Sequence, residues 1–447
     1  MSAGAARRFA WRLAPLGVGL LAATIAAAAA RHSFSLAEVE TVRNARLPWR
    51  ELVPYWHASA SGDLYLAALK PWLHAGSSEW VARVPSIAAF GLTATVLCLL
   101  GRRIFGHWVG LAAGIALATT AFSVDLGRTT GPLALAVLAV TFATWLFVIA
   151  LETTGAAVWS AYAIVAAASV FLSASCAIAL VAHVGATLIG QWSWRRAAVP
   201  AGVLALVATP VVVDTVATKR RLIEPLLQPS LSDVGRAVHE ASGRNVILLA
   251  LAVAGVVALA LGRVDRSEPW KLTLVAAWAG LPLAGALVLS ILRPSLDPRY
   301  LAVSAPALAL LAAAGLCALP RRELVAGVAL ASLVVAGIRV TQSATTPAED
   351  WRAATAYALS TKEPRDRAVI APSRGITAFA FYAGPDRGSL TAAGPTAFVV
   401  VRARSDGDAL KTARRAVRPP AYALREERRF GRHLWVQQWE RTGLPTP

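Results

Sequence analysis

In a chain that is 56% hydrophobic and 15% charged, the residues able to do chemistry are few and stand in polar stretches between long apolar runs. Glu38 and Glu40 follow the first run, within His32-Ser33-Phe34-Ser35-Leu36-Ala37-Glu38-Val39-Glu40-Thr41; His57, Asp63, Tyr65 and Arg83 come later in the same stretch. Asp125 and Arg128 follow the third run, and Arg293, Asp297, Arg299 and Tyr300 follow the ninth. Carboxylates and guanidinium groups gathered at one cavity have the parts for transfer from a phosphate-activated lipid. One carboxylate deprotonates an acceptor hydroxyl, and cations hold the leaving phosphate. On a helix, Glu38 and Glu40 lie about 200° apart, so only one of them faces a shared cavity. The same residue types also cap helices and pair at a membrane interface, and that use fits each of them taken singly.

The elements that must position these groups are helices. The approximate spans are 10–30, 84–100, 108–124, 131–151, 157–172, 174–191, 197–215, 245–262, 271–292, 299–318 and 323–340. A bilayer core of about 30 Å takes roughly 20 helical residues to cross, and in hydrocarbon only a helix or closed barrel satisfies the backbone. The reading is a polytopic α-helical membrane protein of about eleven transmembrane helices, which excludes a soluble fold; the mean hydropathy of +0.55 agrees. Much of the net charge of +19 sits in clusters at Arg7, Arg8 and Arg12; Arg102 and Arg103; Arg195 and Arg196; Arg263, Arg266 and Lys271; Arg321 and Arg322. All fall on one side if the N-terminus is cytoplasmic, and the positive-inside bias then places the C-terminus outside the cell membrane. The first run resembles the n- and h-regions of a signal peptide, but a retained anchor satisfies the later topology. Cys98, Cys176 and Cys317 lie in apolar runs and read as small buried hydrophobes.

Two outer loops are long enough to fold. In the first, 31–83, helix-like stretches from Ala37 to Arg46 and from Gly62 to His74, with Trp49, Tyr55 and Trp56, read as helices at the bilayer interface. The second, 218–244, is basic, with Lys219, Arg220, Arg221 and Arg236. The membrane domain is drawn as 1–340, including the first outer loop. From 341 the pattern shortens to alternating segments, read as a small C-terminal extracytoplasmic α/β domain, 341–447. It has helices over 349–360 and 406–415 and strands over 367–371, 397–401 and 433–440. Arginines cluster in it at 414, 415, 418, 425, 428, 429 and 432, but Glu426 and Glu427 are interleaved and the topology places them outside the cell, so nucleic acid is not an expected partner.

Several segments resemble the multi-spanning GT-C glycosyltransferases, especially bacterial relatives of protein O-mannosyltransferases and of the aminoarabinose transferase acting on lipid A. They are Gly76-Ser77-Ser78-Glu79-Trp80-Val81-Ala82-Arg83-Val84-Pro85-Ser86 entering the second span, Gly101-Arg102-Arg103-Ile104-Phe105-Gly106 leaving it, Asp297-Pro298-Arg299-Tyr300-Leu301 opening the tenth, and Glu349-Asp350-Trp351-Arg352. The resemblance implies sugar transfer from a polyprenyl-phosphate donor to an acceptor outside the cytoplasmic membrane. In that family an Asp-Glu pair in the first outer loop supplies the catalytic acid group; here Ala37-Glu38 stands in its place. Ser61-Gly62-Asp63-Leu64-Tyr65 replaces a His-Pro-Pro-Leu-Tyr-like segment, and Gly131-Pro132-Leu133-Ala134-Leu135 an Arg-Pro-Tyr-Ala-Leu-like one.

The expected roles are Glu38 as general base, Asp63 as supporting acid or metal contact, and Arg128 with Arg299 on the donor phosphate, Tyr300 orienting Arg299. Glu40, His57 and Arg83 are further candidates. No obligatory metal is expected, although a divalent cation on Glu38 and Asp63 is chemically reasonable. The altered positions keep a rival open, a catalytically silent relative that binds lipid or assists envelope assembly. Transport would call for ionisable groups near mid-bilayer, of which the spans show few.

Overall fold

The computed structural model describes residues 3–56, 63–76, 78–153, 155–190, 194–218, 231–264, 268–292, 297–361, 366–384, 396–403, 405–417 and 422–442. In chain order the helices are α1 (Ala3–Ala29), α2 (Leu36–Ala45), α3 (Trp49–Trp56), α4 (Asp63–Trp72), α5 (Glu79–Phe105), α6 (His107–Thr119), α7 (Ala121–Gly127), α8 (Pro132–Thr153), α9 (Ala156–Leu172), α10 (Ser175–Ile189), α11 (Trp194–Thr218), α12 (Leu231–Ala241), α13 (Val246–Ala260), α14 (Pro269–Leu292), α15 (Ala305–Cys317) and α16 (Arg322–Thr345). After these come α17 (Trp351–Thr361), β1 (Arg367–Ala371), α18 (Gly375–Ala383), β2 (Thr396–Arg402), α19 (Asp406–Val417), β3 (Tyr422–Arg429) and β4 (Leu434–Arg441), and a 3₁₀ segment, Pro298–Ser304, precedes α15.

The chain divides into two compact units. The first is Met1–Ala30, Leu47–Gly76 and Trp80–Thr341; the second is Arg31–Arg46, Ser77–Glu79 and Gln342–Pro447. The second unit thus takes in two pieces of the first outer loop, whereas the sequence boundary at 340 leaves that whole loop with the membrane part. Hydropathy marks where apolar runs stop, but not which polar segments fold together.

In the first unit, six segments among the described residues are long and apolar enough to cross a membrane: Trp11–Ala29, Glu79–Phe105, Pro132–Thr153, Pro269–Val288, Pro298–Cys317 and Arg322–Thr345. Two bent pairs, α6 with α7 at 70° and α12 with α13 at 91°, raise the number to eight if each pair is one span. This is a multi-pass membrane protein. Of the other expected spans, the runs at 157–172 and 174–191 correspond to apolar helices of 17 and 15 residues, 197–215 lies within the 25-residue α11, and the run at 108–124 is broken at Thr120. The 91° bend passes through Gly243 and Arg244, with φ of 69° and 59°, a left-handed corner no helix continues through.

Packing here follows membrane rules, with small residues letting backbones approach. Gly255 on α13 meets Gly315 on α15 so closely that a Cβ at Gly255 would lie 1.9 Å from the Leu311 carbonyl oxygen. Inside the α8–α9–α10 layer, the His183 ring shares hydrogen bonds with Thr144 Oγ1 (3.1 Å) and Tyr162 Oη (2.9 Å) and stacks on Phe147. Satisfied polar groups of this kind join helices where no hydrophobic difference from lipid exists. Cys98 and Cys176 are buried as expected, but Cys317, the last residue of α15, is exposed; an apolar run is lipid-facing as readily as protein-facing.

In the second unit the four strands run in the order β1-β2-β4-β3. β1 and β2 are parallel, joined through α18, and the pairs β2/β4 and β4/β3 are antiparallel. β2 is buried on both faces: Ala397, Val399 and Val401 pack with Ala409, Ala413 and Val417 of α19 and with Trp435 and Trp439. The spacing of 409, 413 and 417 is the one-face repeat of a helix, and 406–415 is legible from sequence for that reason. β3 and α18 are not among the sequence-read elements. In β3, Tyr-Ala-Leu-Arg-Glu-Glu-Arg-Arg is exposed almost throughout and lacks the alternation that marks a half-buried strand, as charged edge strands do.

Candidate active site

Two of the expected cations meet at the end of α1. Helix α1 stops at Ala29, leaving C-terminal carbonyls that its own backbone cannot satisfy. Arg128 Nη1 donates to the Ala29 oxygen (3.2 Å) and Arg83 Nη1 to the Ala30 oxygen (3.0 Å). Both arginines are buried, at 9% and 3% exposure. Arg128 closes α7 through its backbone N–H to Val124 and pairs with Asp125 at 2.8 Å, one turn back. The last turn of α7 is seated on α5 because Gly127 leaves room for the Phe90 ring, which a Cβ there would approach to 2.8 Å. The Pro298–Ser304 segment packs against α7, α8, α12 and α14 and is held by the Trp278 Nε1 bond to the Val303 carbonyl (2.8 Å). Asp297 caps it, accepting the Arg299 N–H at 2.9 Å, and Arg299 and Tyr300 are exposed on it. Arg128 and Arg299 are therefore carried by packed neighbours, α7 and this segment.

In the second unit, the start of α2 carries the expected base. Glu38 is 3% exposed and is the N3 residue of a capping box. Its Oε2 accepts the Ser35 N–H (2.9 Å) and the Ser35 hydroxyl (3.1 Å), while the Ser35 Oγ accepts the Glu38 N–H. Glu40, on another side of the helix, is half-buried. Around this turn the unit gathers groups that the sequence presents only as parts of motifs. Glu349 Oε2 accepts the Leu36 N–H (3.0 Å) and the Trp351 indole N–H (2.7 Å), and its Oε1 accepts Arg402 Nε (2.5 Å). Tyr382 accepts the Phe34 N–H (2.6 Å) and donates to Glu79 Oε1 (2.5 Å), and Arg352 donates to Glu79 Oε2. Burial first, and then the bond to Glu79, push the Tyr382 pKa up, so this hydroxyl stays a donor.

Burial alone would raise the pKa of Glu349, but the Arg402 charge and the N–H donors of Leu36, Arg402 and Trp351 outweigh it and hold the carboxyl below its ordinary 4.5. A depressed carboxylate contributes stability that is present above its unfolded pKa and disappears as pH falls through the folded value. The thermal midpoint of the full chain is therefore expected to fall as pH is lowered below 4.5, with a shallower fall in Glu349→Gln. Equal slopes in the two proteins would remove this assignment.

Of the other expected residues, Asp63 opens α4, but its side chain, His57 and Arg293 lie outside the described residues, as do Lys219, Arg220 and Arg221 of the second loop. Glu38 belongs to the second unit, and Arg83, Arg128, Arg299 and Tyr300 to the first. Among the described residues no group of three His, Cys, Asp or Glu comes together to hold a metal.

The family model described as dolichyl-phosphate-mannose-protein mannosyltransferase matches residues 64–216. Among solved structures the chain is similar to ArnT from Cupriavidus metallidurans bound to undecaprenyl phosphate, with 13% identity, 98% of this chain and 99% of that chain covered, and a TM-score of 0.59. The chain has the GT-C fold. It is also similar to the oligosaccharyltransferase AglB from Archaeoglobus fulgidus in complex with an inhibitory peptide and a dolichol-phosphate, at 12% identity, 83% and 63% coverage and a TM-score of 0.50. The Archaeoglobus fulgidus oligosaccharyltransferase in complex with Zn and sulfate gives 13%, 82%, 61% and 0.50. No curated protein matches it significantly by sequence. Identity this low carries the fold but not the site, which rests on this chain's own residues.

Proposed function

We propose that this GT-C chain is a membrane glycosyltransferase that moves a sugar from a polyprenyl-phosphate donor to an acceptor hydroxyl outside the cytoplasmic membrane. The observation that carries the reading is the pair of buried arginines, Arg83 and Arg128, gathered at the end of α1. A phosphate arriving there brings a full negative charge to guanidinium groups that otherwise donate to the Ala29 and Ala30 carbonyls and, for Arg128, pair with Asp125, and Arg–phosphate pairs, often bidentate, are among the strong charge-assisted hydrogen bonds. Arg299, exposed on the packed segment beside α7, adds a third cation, with Tyr300 next to it. Two of the structural relatives hold undecaprenyl phosphate and dolichol-phosphate, ligands of the same chemical class.

In the proposed reaction Glu38 takes the proton of the acceptor hydroxyl. The acceptor oxygen then bonds to the anomeric carbon, the bond from that carbon to the phosphate oxygen breaks, and polyprenyl phosphate leaves with its charge held by the arginines. Asp63 is proposed as a supporting acid and Glu40 and His57 as secondary candidates. The N-terminus is placed in the cytoplasm and the C-terminal unit outside.

Two measurements test the reading. In nanodiscs, undecaprenyl phosphate is expected to bind the wild-type chain and to bind Arg128→Ala about 10–100-fold more weakly, the worth of a hydrogen bond to a charged group; equal binding removes the arginine site. In proteoliposomes, undecaprenyl-phosphate mannose or aminoarabinose is expected to turn over. A second reading, a silent relative that only binds lipid, draws on the capping box, which accounts for the burial of Glu38 without chemistry; binding without turnover would select it.

A further inference from the structure

We infer that Glu349 is a positioning residue: it clamps the first turn of α2, and with it the Glu38 carboxylate, from the C-terminal part of the chain. The inference rests on Glu38 being the base of the proposed transfer.

A helix leaves its first N–H groups without backbone partners. Around the start of α2, four backbone N–H donors find side chains: Phe34 on Tyr382, Ser35 on Glu38, Leu36 on Glu349, and Glu38 on Ser35. The Ser35–Glu38 exchange is local and moves with the helix. The other two acceptors come from more than 300 residues further along the chain and tie the turn to a different element. Of these, only Glu349 is a charged acceptor on the helix proper, where a negative group also meets the positive end of the helix dipole. Glu349 is itself held in place by the fully buried Trp351 and by Arg402, the last residue of β2. The first turn of α2, which carries Glu38, is thus tied by a carboxylate fastened to the sheet. Phe34 against Phe381, and Arg43 Nη1 donating to Thr377 Oγ1 at 3.3 Å, fasten the same helix to α18 but leave its first turn to Glu349.

The test uses the full chain in nanodiscs and hydrogen exchange read by mass spectrometry. In Glu349→Ala, segment 31–46 is expected to exchange at least about tenfold faster, with β2 and β4 unchanged. Glu349→Gln, which keeps an acceptor oxygen for Leu36, is expected to recover most of the protection. Where Glu349→Ala does not accumulate, Glu349→Asp, charged but too short to reach Leu36, carries the same expectation. With undecaprenyl-phosphate mannose as probe, kcat should fall at least about tenfold at an unchanged KM for the donor, the pattern of a lost transition-state alignment. Wild-type protection of 31–46 in Glu349→Ala overturns the clamp, and so does equal loss of protection across the sheet, which would make Glu349 a fold residue only. If the wild-type chain turns over no donor while the exchange result holds, the clamp stands and the base assignment of Glu38 falls.

Discussion

Glu38→Gln is expected to lose sugar transfer by about 10²–10⁴-fold, the usual worth of a general base, while the chain melts at the wild-type temperature. The two halves of that expectation come from different physics. A glutamine at N3 still offers an oxygen to the Ser35 N–H, so the capping box survives; a carboxamide has no basicity at neutral pH, so proton abstraction does not. Glu38→Ala would mix the effects, since it also removes the oxygen that accepts the Ser35 N–H and hydroxyl. Turnover of undecaprenyl-phosphate mannose in proteoliposomes, read beside a thermal melt, separates them. Full transfer by Glu38→Gln would confine Glu38 to its capping role and return the search for a base to Asp63 and Glu40.

The largest loss of stability is expected from Gly255→Val. The added Cβ would sit 1.9 Å from the Leu311 carbonyl oxygen and 3.1 Å from the Gly315 nitrogen. Backbone cannot swing away as a side chain can, so α13 and α15 must separate along their crossing. Overpacking a core costs about 1–3 kcal/mol and occasionally more, and this site belongs at or above the upper end. Gly337→Val on α16 is the control, because nothing lies within 4 Å of its Cβ. Size-exclusion profiles after heating in detergent should show Gly255→Val aggregating well below the wild-type temperature and Gly337→Val tracking wild type. Matching profiles would mean that the crossing is looser than its geometry implies.

Much of the scaffold is legible in the chain because hydrophobic spacing is a local signal. The apolar runs coincide with helices, and 367–371 is a strand within the limits read from alternation. What a run does not reveal is where a helix bends. Thr120 breaks an apparent span and so sets where Arg128 ends up, and the corner at Gly243 and Arg244 sets α12 at 91° to α13. For the site, residue type was enough to nominate Arg83 and Arg128, but their joint use of the Ala29 and Ala30 carbonyls depends on three helices meeting. Glu349 was visible as part of Glu349-Asp350-Trp351-Arg352, without any hint that it reaches Leu36. His183 gave still less, since a single histidine in an apolar run has no spacing to interpret.

By itself the amino-acid sequence determined the solvent this protein lives in, the helical character of its first 340 residues and the α/β pattern of its last hundred or so, because burial in lipid or in a sheet is imposed residue by residue along the chain. Only the tertiary structure decided which polar groups share a neighbourhood: two arginines at the end of α1, and a distant glutamate on the first turn of α2. The physical reason is that buried charges and helix-end N–H groups must be satisfied by whichever partner folding brings within about 3 Å, and that partner's place in the chain is unconstrained.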